Sequence, residues 1–546
     1  IMYLAFSSDR HSLVEIADYA NRIVKDRVQT IQGVAQAQVY GNRYAMRVWL
    51  NPERLAGMQL TPADIERALR AQNVEIPAGR VESLQREFTV LSETDLKTPE
   101  QFAQIIIKDS DGYLVRLGDV ARVELGADSS RFRARFNGQN AIPLGIVKQA
   151  VANPLEISEA IKAMLPQITK SLPAGMKVEV AYDSTIFIEK SISEVYVTVF
   201  EAMLLVVLVI FLFLRNWRAV LIPIVTIPVS LIGAFAIMYM LGFTINILSL
   251  LAIVLAIGLV VDDAIVMLEN IYRHIEEGME PFQAALKGSR EIGFAIIAMT
   301  LTLAAVYLPF AFSSGRTGKL FVEFTLTLAG AVIVSGFTAL TLSPMMCSKL
   351  LRHEPKHGRF YMAGERMLLA LDGAYRRVLV KVLGRKKTVV AGAAVLFIAA
   401  LLLFRLLPNE LAPQEDQGLV IGFASAPEGA TIDYTDGYAK QMEKIFEGVQ
   451  ERDRSFVIVG FNGVTSAIGF VGLKDWGDRG RTSQQIAQGL FPQFMGISGL
   501  MAFPITPPPL GQGGFGQPVN FVVQTTGSWE ELDVTVKKLL AKMQQN

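Results

Sequence analysis

LSLLAIVLAIGLVVDDAIVMLEN, residues 248–270, is an apolar run interrupted by two adjacent acids, Asp262 and Asp263. Its length suits a helix crossing ~30 Å of hydrocarbon. A carboxylate at that depth costs roughly 2.5–3.5 kcal/mol on insertion scales. Two neighbours also repel, so charging both is harder than charging one. A carboxyl pair that holds or releases a proton inside a bilayer is what a proton-driven machine needs. AIVML follows without a break, which places the pair inside the helix, some two thirds along, and not in the headgroup zone. Gly258, four residues earlier, leaves room on one face for a neighbouring helix or water.

With 245–271, further apolar segments at about 194–214, 219–241, 291–312, 320–347 and 388–407 make six candidate spans. The loops between them are biased in charge. Residues 215–218, 273–290 and 349–387 fall on one side, and 349–387 alone holds eleven Lys/Arg against three acids. The positive-inside rule puts these loops in the cytoplasm and the large polar regions outside. The basic amphipathic stretch 359–383 is expected on the cytoplasmic membrane surface.

Composition agrees. The 546 residues are 51% apolar with a mean hydropathy of +0.35, as expected of a membrane protein with large watery parts. The net charge of +1 implies no nucleic-acid partner. Cys347 is the single cysteine, so disulfides and Cys-built metal sites are excluded. His353 and His357 share a basic loop, but Pro355 lies between them and no ligand cluster accompanies them, so the reading is a solvated loop. No signal peptide opens the chain. IMYLAF begins within a strand and LLAKMQQN stops within an amphipathic helix, so a fragment of a longer protein is expected.

Residues 1–190 read as α/β. Strands 33–41 and 44–50 are separated by a Gly-Asn turn signal, and Thr61-Pro62 starts a helix. RFRARFNG (131–138) alternates Arg131, Arg133 and Arg135 with apolar residues, a strand with one basic face for which a solvated face is the commoner reading and a pocket or a neighbouring subunit the alternative. From 408 the predicted order is strand 418–426, helix 432–449, strands 455–461 and 468–475, helix 482–494 and strand 518–525. That is the βαββαβ, ferredoxin-like unit. The expected fold is thus a six-helix transmembrane bundle between α+β modules.

An intramembrane aspartyl protease is the enzyme alternative. It needs two carboxylates facing across a gap, whereas neighbours on one helix point about 100° apart. No other span contains an Asp, so no enzyme is expected. A buried acid pair also wants a cation. No Lys or Arg lies within the six spans away from their ends; the other internal acids are Glu201 and Glu323.

AIGLVVDDAIVMLENIYR (256–273) resembles the fourth transmembrane helix of the resistance–nodulation–division (RND) efflux transporters of the AcrB/MexB multidrug type. The likeness continues through GNRYAMRVWLNPERLAGMQLTPADIERALRAQN (41–73), RFNGQNAIPLGI (135–146), FLRNWRAVLIPIVTIPVSLIGAF (213–235), PQEDQG (413–418) and GLKDW (472–476). It implies helices two to seven of twelve. It assigns Asp262 and Asp263 to the proton relay and puts the lysine partner on a later helix, beyond residue 546. It implies porter segments at 1–43 and 128–190, a docking subdomain at 44–127, transmembrane helices at 191–348 and 388–407, a cytoplasmic segment at 349–387, and a second-half porter at 408–546. Asp-Asp-Ala, where metal exporters of the family show a single Asp followed by Gly, favours organic substrates.

The resemblance further implies a substrate pocket at Tyr40, Phe132, Tyr182, Phe456, Ile458, Phe461 and Phe470, each on or beside a strand where a core aromatic is the plain alternative. The expected activity is proton-driven export of amphiphilic drugs from the periplasm or inner membrane. Its implied partners are a homotrimer, a periplasmic membrane-fusion adaptor, an outer-membrane channel of the TolC type and the lipid bilayer, with no cofactor beyond the proton gradient. A metal or lipid exporter, or a non-transport membrane protein of the same fold, is the alternative. Two departures stand out: a short loop after Phe461 and a short stretch at 80–88, where relatives carry a longer hairpin that clasps the next subunit.

Overall fold

The computed structural model describes residues 1–74, 79–90, 95–110, 112–214, 216–352, 359–407, 412–508 and 521–543. His353, His357 and most of the Pro-Gly-rich run 507–516 lie outside the described residues. The chain divides into two units: 1–185 with 410–546, and 186–409.

The first unit holds two antiparallel sheets of the same strand order. In one, Met176–Asp183, Met2–Ser8, Ile142–Lys148 and Val34–Val39 lie side by side. Period-2 alternation divides its residues: Met2, Leu4 and Phe6 pack with Ile157 and Ile161 of helix Pro154–Ser171, while Tyr3 and Ala5 belong to a different core. In the other, Arg452–Val459, Ser466–Leu473, Leu419–Ser425 and Met501–Ile505 follow in order. Val457, Val459 and Val471 pack with Phe446 of helix Ile432–Glu447 and Phe494 of helix Ser483–Met495, while Phe456, Ile458 and Ile468 join the core of Ala5 and Phe136.

Two expectations are corrected here. The strands at 34–39 and 44–50 form no hairpin: Val34–Val39 pairs with Ile142–Lys148, and Tyr44–Leu50 with Ala121–Ala127. The chain passes at Gly41, where a Cβ would lie 2.8 Å from the Ala17 methyl group. The closing strand of the second sheet is Met501–Ile505, not 518–525: residues 521–525 form no strand, and 518–520 lie outside the described residues. Met501–Ile505 follows helix Ser483–Met495 closely enough to return directly to the edge beside Leu419–Ser425. Arg133–Phe136 has its own place in this architecture: it joins the second sheet, beside Arg452–Val459.

Residues 44–127 insert between two strands of the first sheet as a smaller body with its own core of Leu55, Ile65, Phe102, Leu117 and Val120. Thr61 caps helix Pro62–Gln72, accepting from the Asp64 amide while Asp64 accepts from Thr61. The 80–88 stretch is a minimal hairpin of Arg80–Glu82 with Glu87–Thr89.

The motifs PQEDQG and GLKDW meet. Trp476 Nε1 donates to the Asp416 carbonyl at 2.9 Å, and Arg479 Nη1 lies 2.8 Å from Asp416 Oδ2. Burial opposes the charge on Asp416, but hydrogen bonds from Arg479 and the Gly418 amide hold its carboxyl below the usual range.

Among the described residues, the second unit carries six helices long and apolar enough to cross a membrane: Thr185–Phe213, Trp217–Met240, Ile247–Glu276, Pro281–Ala311, Gly318–Leu350 and Lys386–Leu406. Between the last two, Arg359–Leu383 forms a further helix. Ile247–Glu276 begins at Asn246, whose Oδ1 accepts from the Leu248 and Ser249 amides at 3.0 Å. Glycine at 278, with φ +94, stops it, and Pro281 opens the next helix. Ile253, Ile257 and Val260 pack with Ile227, Leu231 and Leu328 of neighbouring helices, and Leu250 is buried as well.

Candidate functional site

The aspartate pair sits near the middle of helix Ile247–Glu276. Adjacent side chains diverge by about 100°, and here one points in and the other out. Asp263 is 2% exposed, whereas Asp262 is on the exposed side with Leu251, Leu255 and Gly258. A Cβ added at Gly258 would meet nothing within 4 Å, so the strip leading to Asp262 is open.

Helix Gly315–Leu350 supplies Ser335, whose hydroxyl donates to the Val260 carbonyl at 2.8 Å and stands 3.5 Å from Asp263 Oδ2. Thr300, on helix Pro281–Ala311, is buried, and its hydroxyl faces Asp263. Gly336 permits this approach, since a Cβ there would run into the Thr300 side chain. Neither aspartate has an ion pair among the described residues.

A second constellation lies where the helix-free faces of the two sheets meet. Tyr3 is its hub, with ring centroids 6.1 Å from Tyr40, 6.3 Å from Tyr182 and 5.6 Å from Phe456. Tyr40 stacks on Phe132 at 5.9 Å, Tyr182 lies 5.4 Å from Phe470, and Phe470 stacks on Phe456 at 6.2 Å. Five of the seven residues named from sequence are thus joined in one aromatic chain. Ile458 is buried beside it in the same core. Phe461 stands apart and is 50% exposed, on the tight turn between Arg452–Val459 and Ser466–Leu473.

Tyr3 escapes a reading by motif. Its signal is the alternation of IMYLAF, which puts Tyr3 opposite Met2 and Leu4. Its pairing with Tyr182 exists only in the folded sheet. Burial, then the neighbouring Tyr40 and Tyr182, push its phenol up to about 12, so it stays a neutral hydrogen-bonding group. Burial and the adjacent Asp183 raise Tyr182 in the same direction.

The turn bearing Phe461 depends on Gly460, which has φ +87 and would drive a Cβ into the Arg131 carbonyl. Gly460→Ala should therefore cost about 1–3 kcal/mol. Thermal unfolding of the purified full-length protein measures it, and an unchanged midpoint would show that the turn relaxes freely.

The basic face expected of strand 131–138 is corrected. Arg135 is not solvated, and Arg133 is only partly so. Arg135 is 5% exposed; its Nε donates to Glu443 Oε2 at 2.6 Å and its Nη1 pairs with Asp436. Arg133 reaches Asp436 at 3.1 Å and Asp433 at 2.5 Å. All three acids lie on helix Ile432–Glu447, which covers the face that alternation assigned to water. Burial opposes the charge on Asp436, but Arg135 and Arg133 outweigh it and hold that carboxyl below its ordinary range. Arg131 remains exposed.

The family model for the AcrB/AcrD/AcrF family matches residues 1–546. The chain is 40% identical over 544 residues to an uncharacterized transporter of Haemophilus influenzae, covering 100% of this chain and 53% of that protein. It is 37% identical over 514 residues to multidrug resistance protein MdtF of Escherichia coli K12, covering 88% and 48% respectively. Over 488 residues it is 37% identical to multidrug resistance protein MdtC of Pectobacterium atrosepticum, covering 89% and 48%. The chain spans about half the length of the curated relatives it matches.

Proposed function

Because the chain belongs to the AcrB/AcrD/AcrF family of RND type, we propose that its full-length protein is a proton-driven antiporter exporting amphiphilic organic compounds. The observation that carries this reading is the mid-helix carboxyl pair, with Asp263 buried against Ser335 and Asp262 on an open strip. A cation contributed along that strip would pair with the acids when they are charged and lose them when they take a proton. That exchange would change how the helices pack, because a buried charge without its partner is costly.

Relatives named as multidrug resistance proteins support a drug-like cargo. The aromatic chain from Tyr40 to Phe470 supports an apolar, adaptable binding region, with Phe461 on a turn beside it. In this reading the two sheets are ferredoxin-like porter subdomains on the periplasmic side of the inner membrane. The protein works as a homotrimer with a membrane-fusion adaptor and an outer-membrane channel of the TolC type, and uses no cofactor beyond the proton gradient.

The test is flux. Full-length protein in lipid vesicles should move a fluorescent amphiphilic dye when a pH gradient is imposed, with protons moving in the opposite direction. A protonophore should stop the dye. Dye movement that continues unchanged after the gradient collapses would exclude proton coupling.

A further inference from the structure

Three turns beyond Asp263 on the same helix lies His274, 4% exposed. Eleven residues advance a helix by about 16.5 Å and return it to within roughly 20° of the same face. His274 Nε2 is 2.8 Å from Glu291 Oε2 on helix Pro281–Ala311, and its Nδ1 is 3.3 Å from Glu277 Oε2. Both acids reach solvent, with side chains 38% and 60% exposed. Asn270, one turn earlier, donates to Glu291 at 3.2 Å and to the Gly288 carbonyl at 3.0 Å. Arg273 Nη2 stands 3.9 Å from Glu291, and Lys287 acts on it from the same helix. On the other helices packed here, Arg218 and Lys349 occupy the corresponding ends.

The chemistry of this cluster turns on a count of protons. A neutral imidazole has one N–H, and a carboxylate can only accept. His274 faces a carboxylate at each nitrogen, so the two contacts are both hydrogen bonds only when the group holds one proton more than a neutral ring between two carboxylates. One added proton therefore completes both contacts. Toward it from Asp263 stand two buried hydroxyls, Ser343 on helix Gly315–Leu350 and Thr300 on helix Pro281–Ala311 beside the aspartate. A buried hydroxyl can hydrogen-bond a bridging water where there is room and further polar groups accompany it.

We propose that His274, with Glu291 and Glu277, is the group through which protons taken up at Asp262 and Asp263 leave on the side of the basic loops. This rests on the proton-driven reading above. Only O–H and N–H bonds change: a proton leaves an aspartic acid as carboxylate, passes through water to the imidazole, and departs to bulk water past an exposed glutamate. His274 is in this sense a relay residue for the transport cycle, distinct from the aspartates that couple it.

The experiment uses full-length protein in lipid vesicles, following ethidium movement and proton counterflow together. The pH on the basic-loop side is varied from about 5.5 to 8, where an imidazole changes charge. His274→Gln keeps an amide N–H to bond Glu291 but cannot take a proton, so a merely structural pair survives it. The expected result is turnover reduced roughly tenfold or more, with a flattened dependence on pH at that side. Glu291→Gln should flatten the same profile, and it decides the matter if His274→Gln does not assemble. An assembled His274→Gln protein with wild-type turnover and pH profile overturns the proposal. Wild-type flux indifferent to the gradient overturns the proton-driven reading and this inference with it, and is seen before any substitution is made.

Discussion

Asp263→Asn in the full-length protein should abolish drug resistance while the protein still folds and assembles. Asparagine has nearly the shape of aspartic acid and fits beside Ser335, where Asp263 is 2% exposed. It can neither carry the charge nor exchange the proton. A positioned proton donor contributes roughly 10²-fold or more to a rate, so transport should fall to the background of cells lacking the protein. The cost to folding should be small, since removing a potential charge from an apolar core relieves desolvation. Asp262→Asn should be as inactive through the other half of the exchange, because Asp262 lies on the open strip with Gly258. Resistance assays alongside a measurement of the assembled protein check this. Wild-type resistance in an assembled Asp263→Asn protein would sink the relay.

Arg135→Ala should be among the most destabilising substitutions in the α/β unit, by about 3–5 kcal/mol. The guanidinium holds Asp436 and Glu443, and all three side chains are buried. Removing it strands Glu443 and leaves Asp436 to Arg133 and Lys440. Replacing Arg135, Asp436 and Glu443 together by apolar residues of similar volume should cost far less, because no charge is then left unpaired. Stability should also depend on pH in a defined sense. Asp436 is held below its ordinary range, so its contribution is present above the unfolded carboxylate value of about 3.9 and is lost as pH falls through the lower folded value. The gap between wild type and Arg135→Ala should accordingly shrink below about pH 4. Thermal or denaturant unfolding of both proteins across pH measures it; equal stability at neutral pH would mean that the network contributes nothing.

This network also marks where reading by periodicity fails. Alternation located Arg133 and Arg135 on one face of a strand, and that was correct. It could not say what covered the face. The covering helix is some three hundred residues away in sequence, and strand Arg133–Phe136 crosses into that helix's sheet. The missed closing strand has a related cause. MAFPI (501–505) is short and contains proline, so it reads weakly alone, yet an edge position beside Leu419–Ser425 tolerates it.

The membrane half needed no tertiary information to be recognised. Twenty apolar residues in a row can satisfy their backbone only as a helix in lipid, so six spans, their order and the anomaly of Asp262 and Asp263 follow from local composition. The Thr61 cap and the strand–helix alternation of 418–495 were legible for the same reason, because near neighbours in sequence decide them. What only the folded chain decided depends on partners distant in sequence. Helix packing selected Asp263 for burial and left Asp262 outside. Strand register brought Tyr3 against Tyr182, and the close approach of the two sheets joined separate aromatics into one surface. Burial and pairing are properties of a neighbourhood, and a residue's type specifies its chemistry without specifying its neighbours.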